Sequence, residues 1–124
     1  MQNLKGIENF ISFKKFSARN CMLKSIDKGI GKLTQCEILD LSNNEIEALP
    51  EEMIYMKSLK ELRIQKNKIT YFPEFLQDMT SLELIEVGEN PIPNENKEKL
   101  VQNMKQKNSK LQINFKKQKS TFNN

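Results

Sequence analysis

The side chains that could support catalysis in this chain are few and scattered. The sequence contains no histidine, which removes the commonest general base and the commonest metal ligand. Carboxylates are plentiful, but no motif places two of them in one pocket. The segment Gly29-Ile30-Gly31-Lys32 superficially resembles a phosphate-binding loop, yet it lacks the spacing that such loops require. The residues therefore predict no enzyme, no cofactor and no metal site.

Two cysteines, Cys21 and Cys36, are the remaining reactive groups. Both fall at positions that we expect to face the protein interior, and this usage is typical of a reduced protein rather than of a disulfide scaffold. Residues 1–12 contain no apolar run of secretory-signal length. No segment approaches the ~20 apolar residues of a membrane span. We therefore expect a cytoplasmic protein in a reducing environment.

Apolar residues recur at a fixed interval of 23 along most of the chain. Taken unit by unit, the equivalent positions are Phe16, Ala18 and Cys21; Leu39, Leu41 and Asn44; Leu62, Ile64 and Asn67; and Ile85, Val87 and Asn90. A constant period indicates a repeat architecture in which each unit packs only against its neighbours. The period-two alternation within each unit predicts a strand whose apolar pair faces inward. The predicted strands are Lys15–Ala18, Ile38–Leu41, Glu61–Ile64 and Leu84–Val87.

The pattern L-x-x-L-x-L-x-x-N-x-L resembles the leucine-rich repeat family. The pairs Leu49-Pro50 and Phe72-Pro73 resemble its 23-residue intracellular subclass, which occurs in Ras-binding and scaffold proteins. The resemblance implies an α/β fold, a right-handed leucine-rich repeat solenoid. About four repeats would form a parallel sheet on the concave side and short helical or 3₁₀ segments on the convex side. No cysteine-rich cap of the kind found in secreted members is visible in the sequence.

The chain divides into four predicted regions. These are a partial repeat or N-terminal cap at 1–12, the repeats at 13–93, a C-terminal cap at 94–115 and a disordered basic tail at 116–124. In the cap we expect a helix from about Glu95 to Gln106, capped by Asn94 or Asn96, and then a strand-like segment from Leu111 to Phe115. That segment would cover the open edge of the sheet after Val87.

The repeats are not identical, and the first full one departs most from the pattern. Asn44, Asn67 and Asn90 can hydrogen-bond turn backbone groups that otherwise have no partner. Cys21 replaces this asparagine in the first repeat, so its turn should be the loosest. Asp27 replaces the later proline, and the return segment after it should be less regular.

The outward side of the strands is the most informative surface. Its candidate partner-binding residues are Lys15, Ser17, Arg19, Ile38, Asp40, Ser42, Glu61, Arg63, Gln65, Leu84 and Glu86. Two rows across the strands alternate in sign: Lys14, Glu37, Lys60 and Glu83, and Asp40, Arg63 and Glu86. These rows fit two interpretations, ion pairs between neighbouring strands that only keep the sheet solvated, or a mixed-charge face that binds a partner. Ile38 and Leu84 favour binding, because an exposed strand position needs no aliphatic group.

The family resemblance implies a non-catalytic module that binds another protein through the concave strand face. An alternative is a regulatory or targeting fragment of a larger signalling enzyme, such as a kinase, GTPase or ligase. The less favoured alternative rests on charge, since eight lysines and only two glutamates follow residue 93, whereas residues 1–93 carry a net charge of −2. Such a tail could contact nucleic acid or an anionic membrane, although no recognised binding motif accompanies it. No small-molecule substrate is expected.

Overall fold

Five short parallel strands form one sheet whose order follows the chain. The structure is a computed structural model that describes residues 3–115. The strands are β1 (Lys15–Ser17), β2 (Ile38–Asp40), β3 (Glu61–Arg63), β4 (Leu84–Glu86) and β5 (Gln112–Asn114). The first four occur where the sequence predicts them, and each ends one residue earlier than predicted. The prediction of a disordered tail at 116–124 concerns residues outside the described range.

The 23-residue period sets the register of the sheet. Phe16 pairs with Leu39, Leu39 with Leu62, and Leu62 with Ile85. The last three side chains are completely buried and form one column through the core. The predicted solenoid core is confirmed, because residues one period apart stack in successive strands.

The return path of each repeat contains a short 3₁₀ segment. The four segments are Ile7–Phe10, Lys28–Lys32, Glu51–Tyr55 and Glu74–Asp78. Pro50 and Pro73 immediately precede the last two, where a fixed φ and a missing N–H are tolerated. The expectation of a less regular segment after Asp27 is wrong. The Asp27 carboxylate accepts a hydrogen bond from the Gly29 N–H at 2.9 Å and caps a segment of the same length.

The asparagine of each repeat bonds backward, to the repeat that precedes it. Asn44 accepts a hydrogen bond from the Leu23 N–H at 3.0 Å and donates to the Ala18 carbonyl at 2.9 Å. Asn67 and Asn90 repeat this arrangement one and two periods later. The predicted role of these amides is confirmed, and it joins adjacent turns as well as satisfying buried backbone groups.

The C-terminal region adds a helix and the fifth strand. Helix α1 (Asn94–Lys107) buries Leu100 and Met104, and β5 then pairs with β4. The Val87 N–H donates to the Asn114 carbonyl at 2.9 Å, so the edge after Val87 is covered as expected. The helix begins directly after Pro93 with no side-chain capping bond, and therefore the predicted cap by an asparagine is not observed.

Candidate functional site

The predicted binding residues lie on one side of the sheet, which we call the strand face. On β2 to β4 each of them has a buried neighbour, as Asp40 has Leu39 and Leu41, whereas Lys15 on β1 lies between exposed Lys14 and half-buried Phe16. The face consists of Lys15, Ser17 and Arg19; Ile38, Asp40 and Ser42; Glu61, Arg63 and Gln65; and Leu84 and Glu86. Because the strands pair at a constant offset of one repeat, these positions form rows across the sheet.

Exposure of the strand face falls from β1 to β4. The three face residues of β1 and its extension are exposed, while Ile38, Arg63 and Leu84 are half-buried. Two predicted residues are buried, since Ser42 is 1% exposed and Glu86 is 8% exposed. For these two the expectation of an outward, accessible side chain is wrong.

Ser42 is buried because its short side chain folds back onto the turn. Its Oγ donates to Asp40 Oδ1 at 2.6 Å, and its backbone N–H donates to the same oxygen at 3.0 Å. The Asp40 carboxylate is held in place by these two bonds and by Arg19, whose Nε lies 3.7 Å from Asp40 Oδ2. Ser42 therefore orients an acidic group of the face instead of presenting its own hydroxyl.

Adjacent charged residues within each row do not form ion pairs, although their alternating signs suggest that they would. Arg63 lies opposite Glu86 in the sheet, but its guanidinium pairs with Glu61 of its own strand at 3.2 Å. Within residues 3–115, Lys14 and Lys60 form no ion pair within 4.0 Å. The row neighbours therefore do not form the expected cross-strand ion pairs, and Asp40 pairs instead with Arg19 of the adjacent repeat.

Two hydrogen-bond acceptors near the β4 end of the face lack a cationic or donor partner. Within the part of the chain that the structure describes, no Lys or Arg nitrogen lies within 4.0 Å of the Glu86 carboxylate. Gln65 Oε1 is buried and accepts no hydrogen bond from residues 3–115. Because this oxygen is buried and Glu86 is only 8% exposed, neither acceptor offers an accessible site to a partner.

The glycines of the segment that resembles a phosphate loop serve packing. Ile30 is fully buried, as its place in the repeat predicts. A Cβ on Gly31 would lie 2.3 Å from the Glu52 carbonyl oxygen of the next repeat, so only glycine fits there. The segment is part of the contact between adjacent 3₁₀ segments.

Comparison with known proteins now identifies the fold family. A family model described as a leucine-rich repeat region matches residues 1–124. The chain belongs to the leucine-rich repeat family. The 23-residue repeats and the parallel strands described above are consistent with this assignment.

Curated proteins from two kinds of organism match part of this chain. The chain is 25% identical over 91 residues to the volume-regulated anion channel subunit LRRC8E of Xenopus laevis, covering 72% of this chain and 11% of that protein. It is 34% identical over 87 residues to the probable inactive serine/threonine-protein kinase roco10 of Dictyostelium discoideum, covering 64% of this chain and 3% of that protein. The chain thus spans a small part of the length of these relatives.

Solved leucine-rich repeat structures share the fold. A leucine-rich repeat protein of Leptospira interrogans superimposes with a TM-score of 0.71 at 28% identity, covering 83% of this chain and 25% of that one. The plant peptide hormone receptor RGFR1, in complex with RGF2, superimposes with a TM-score of 0.66 at 21% identity, covering 88% and 18%. No helix within residues 3–115 has the length and apolar character needed to cross a membrane.

The two cysteines of the leucine-rich repeats differ in environment. Cys36 is fully buried, and this burial raises the pKa of its thiol to about 11. Cys21 is exposed, which contradicts the expectation that both thiols face inward. Its Sγ donates to the Arg19 carbonyl at 3.3 Å within its own turn. Cys21 is exposed because it occupies the asparagine position of the first repeat, where no earlier turn packs against it.

A cleft that the sequence pattern does not predict lies on the side of the solenoid away from the strand face. A cavity of about 620 Å³ lies between the last 3₁₀ segment and α1. Its walls include Tyr71, Phe75, Lys99 and Leu100. It forms because the cap helix crosses the convex side, so it depends on the packing of distant segments and has no signal in the repeat pattern.

Proposed function

We propose that this chain is a non-catalytic module that binds another protein through the strand face. The observation that carries the proposal is the mixed surface of that face, with half-buried aliphatic groups at Ile38 and Leu84 among charged side chains. Exposed side chains on a rigid scaffold allow specific binding, in which charge sets the orientation of the partner. The same fold occurs in a plant receptor whose structure contains RGF2.

The polar groups of the strand face support a partner of mixed charge. Lys14 and Lys60, which flank the strand face, are exposed and form no ion pair within residues 3–115, so they can meet carboxylates of a partner. The half-buried carboxylates of Asp40 and Glu61 supply negative charge on the same face. Groups left without an internal partner contribute most when a ligand satisfies them. The proposal assigns the module to a reducing, intracellular compartment, which the two free thiols support.

A double substitution on the strand face tests the proposal. Ile38→Glu with Arg63→Glu places two carboxylates on the face without altering a fully buried side chain. We expect the variant to fold and to lose its partners in affinity capture from lysate, measured by quantitative mass spectrometry against the unaltered chain. The matched control is Ile54→Glu with Lys57→Glu, two exposed positions on the convex side. Equal capture by a folded strand-face variant would refute binding through this face.

One comparison supports a second function, as a regulatory or targeting part of a larger signalling protein. The supporting observation is the 34% identity to repeats of a probable inactive kinase, of which the matched region is a small fraction. The test is an immunoblot of native cell extract with an antibody raised against residues 36–93. A band far above 14.5 kDa would favour this function, and a single band at 14.5 kDa would exclude it.

A further inference from the structure

The outer edge of β1 carries backbone groups that no neighbouring strand uses. The Ala18 N–H donates to the Asp40 carbonyl at 2.8 Å, and the Lys14 carbonyl accepts from the Ile38 N–H at 3.1 Å. Alternate residues of a parallel strand bond to opposite sides. The backbone of Lys15 and Ser17 therefore points away from β2, and in the described part of the chain β1 pairs with β2 alone.

An exposed apolar cluster borders this edge. The ring centroid of Phe10 lies 5.3 Å from that of Phe13 and 6.1 Å from that of Phe16, which belongs to β1. Phe10, Phe13 and the adjacent Ile11 are 42%, 47% and 50% exposed. Contiguous apolar surface of this kind commonly marks an interaction site. The edge thus combines unpaired backbone groups with an aromatic surface.

The turn beside this edge lacks the amide that the later turns carry. Asn44, Asn67 and Asn90 each donate to a carbonyl of the repeat before them. The equivalent position in the first repeat is Cys21, whose thiol bonds within its own turn. Within residues 3–115, no side chain of the first repeat makes the backward bonds that join the later turns.

Charge identifies the chemistry of that strand. Residues 1–35 contain seven cationic side chains and two carboxylates, and residues 94–115 contain five and two. Both ends of the solenoid are therefore basic, so contact between the ends of two copies would bring like charges together. Lys14 and Lys15 are exposed beside the open edge. The surface is complementary to an acidic partner.

We propose that an extended acidic peptide segment of another protein binds here by adding a strand to β1. The peptide backbone bonds to the free groups of Lys15 and Ser17, as in other cases of strand addition to a sheet edge. Its apolar side chains cover Phe10 and Phe13, and its carboxylates lie near Lys14 and Lys15. This edge adjoins the strand face and shares Lys15 and Ser17 with it, but the strand-face proposal concerns side chains and this one the backbone groups of β1.

Amide hydrogen exchange on the full chain, measured by NMR, tests the proposal directly. The probe is a synthetic heptapeptide that alternates valine with aspartate or glutamate. We expect the probe to slow exchange of the Lys15 and Ser17 amides by about tenfold or more. The same peptide with N-methylated backbone positions cannot form the bonds and should give no protection. A peptide with lysine in place of the acidic residues should also give none.

Matched variants test the two side-chain contributions. Lys14→Glu with Lys15→Glu should weaken binding of the acidic probe by about tenfold, while Lys57→Glu with Lys105→Glu, two exposed positions in a later repeat and in α1, should change it by less than about twofold. Phe13→Ser should weaken binding, and Tyr71→Ser should not, although the two rings are 47% and 46% exposed. All of these positions are on the surface, so the variants are expected to fold.

The outcomes that would overturn the proposal are distinct. Absence of protection at millimolar probe would exclude strand addition, and equal protection by the N-methylated peptide would show that the backbone is not involved. Protection of Lys15 and Ser17 that rises with protein concentration and needs no peptide would identify a second copy of the chain as the occupant. Displacement of the probe by a single-stranded oligonucleotide would identify nucleic acid instead. Protection by the acidic peptide alone supports the proposal.

Discussion

The two edges of the sheet differ in how they are covered by neighbouring elements. At the C-terminal end β5 pairs with β4, and α1 buries Leu100 and Met104 against the last repeat. At the N-terminal end, within residues 3–115, β1 pairs with β2 alone, and Phe10 and Phe13 are 42% and 47% exposed. The difference shows that a repeat buries its apolar residues and satisfies its turn only through its neighbours. An end without such a neighbour needs either a cap or a partner.

The largest expected difference between the ends is in the free energy of unfolding. Met104→Ala removes a side chain that is 1% exposed and should cost ~2–5 kcal/mol, because a cavity remains in the C-terminal cap. Phe13→Ala removes a larger side chain that is 47% exposed, and should cost ~1 kcal/mol or less, because nearly half of its surface is already in water. Urea denaturation followed by circular dichroism measures both. Equal costs would mean that the two ends are equally well packed.

The asparagines that bond to the preceding turn, Asn44, Asn67 and Asn90, predict a smaller difference in stability between the first repeat and the later ones. Asn67→Leu leaves the buried Ile46 N–H without its partner and removes one of the two amide bonds to the Leu41 carbonyl, and we expect a loss of ~1–3 kcal/mol. Cys21→Ala at the equivalent position of the first repeat should change stability by less than ~0.5 kcal/mol, because its thiol bonds no earlier turn. Chemical denaturation of the two variants measures the difference. A large loss of stability for Cys21→Ala would contradict the view that the Cys21 side chain bonds only within its own turn.

Substitution of two aspartates compares the stability contributed by a 3₁₀ cap with that contributed by an exposed ion pair. Asp27→Ala removes the cap of the 3₁₀ segment in the first full repeat and should cost ~1 kcal/mol. Asp78→Ala removes an exposed ion pair with Lys107 at 3.2 Å near the C-terminal cap, and should cost less than ~0.5 kcal/mol. Thermal unfolding of both variants checks the order. If Asp78→Ala were the more damaging, the ion pair with α1 would matter more for closing that end than its exposure indicates.

The smallest expected effect concerns thiol reactivity in the native protein, which should not alter stability. Cys21 is exposed at the open end and should react with iodoacetamide at pH 8. Cys36 should react only on unfolding, because burial both blocks access and raises the pKa of its thiol to about 11. Peptide mass spectrometry after brief labelling distinguishes the two sites. Labelling of Cys36 at the rate of Cys21 would show that the core opens readily at the first repeats.

Much of the fold follows from the sequence because the solenoid is nearly one-dimensional. Once the period is known, the placement of Leu39 implies that of Leu62 and Ile85, and alternation assigns the opposite side. The candidate site is less predictable, because side chains choose among neighbours that the period does not distinguish. Arg63 lies within reach of both Glu61 and Glu86, and it pairs with the first.

End effects are the other limit of the sequence pattern. The period treats Cys21 as equivalent to Asn44, but burial depends on whether an earlier turn packs against the position. The regular segment after Asp27 was missed for a related reason, since a side-chain cap replaces the proline of the later repeats. Both departures come from the first repeat, where the pattern has least support from neighbours.

Amide hydrogen exchange along β1 tests the open edge and the register together. The Ala18 N–H bonds to β2 and should exchange slowly, whereas the Lys15 and Ser17 amides should exchange at nearly the rate of an unstructured peptide. At the other end the Val87 N–H, bonded to Asn114, should be protected like Ala18. This alternation within β1, with full protection at Val87, is the result we predict. Protection of Lys15 and Ser17 equal to that of Ala18 in the isolated chain would contradict it.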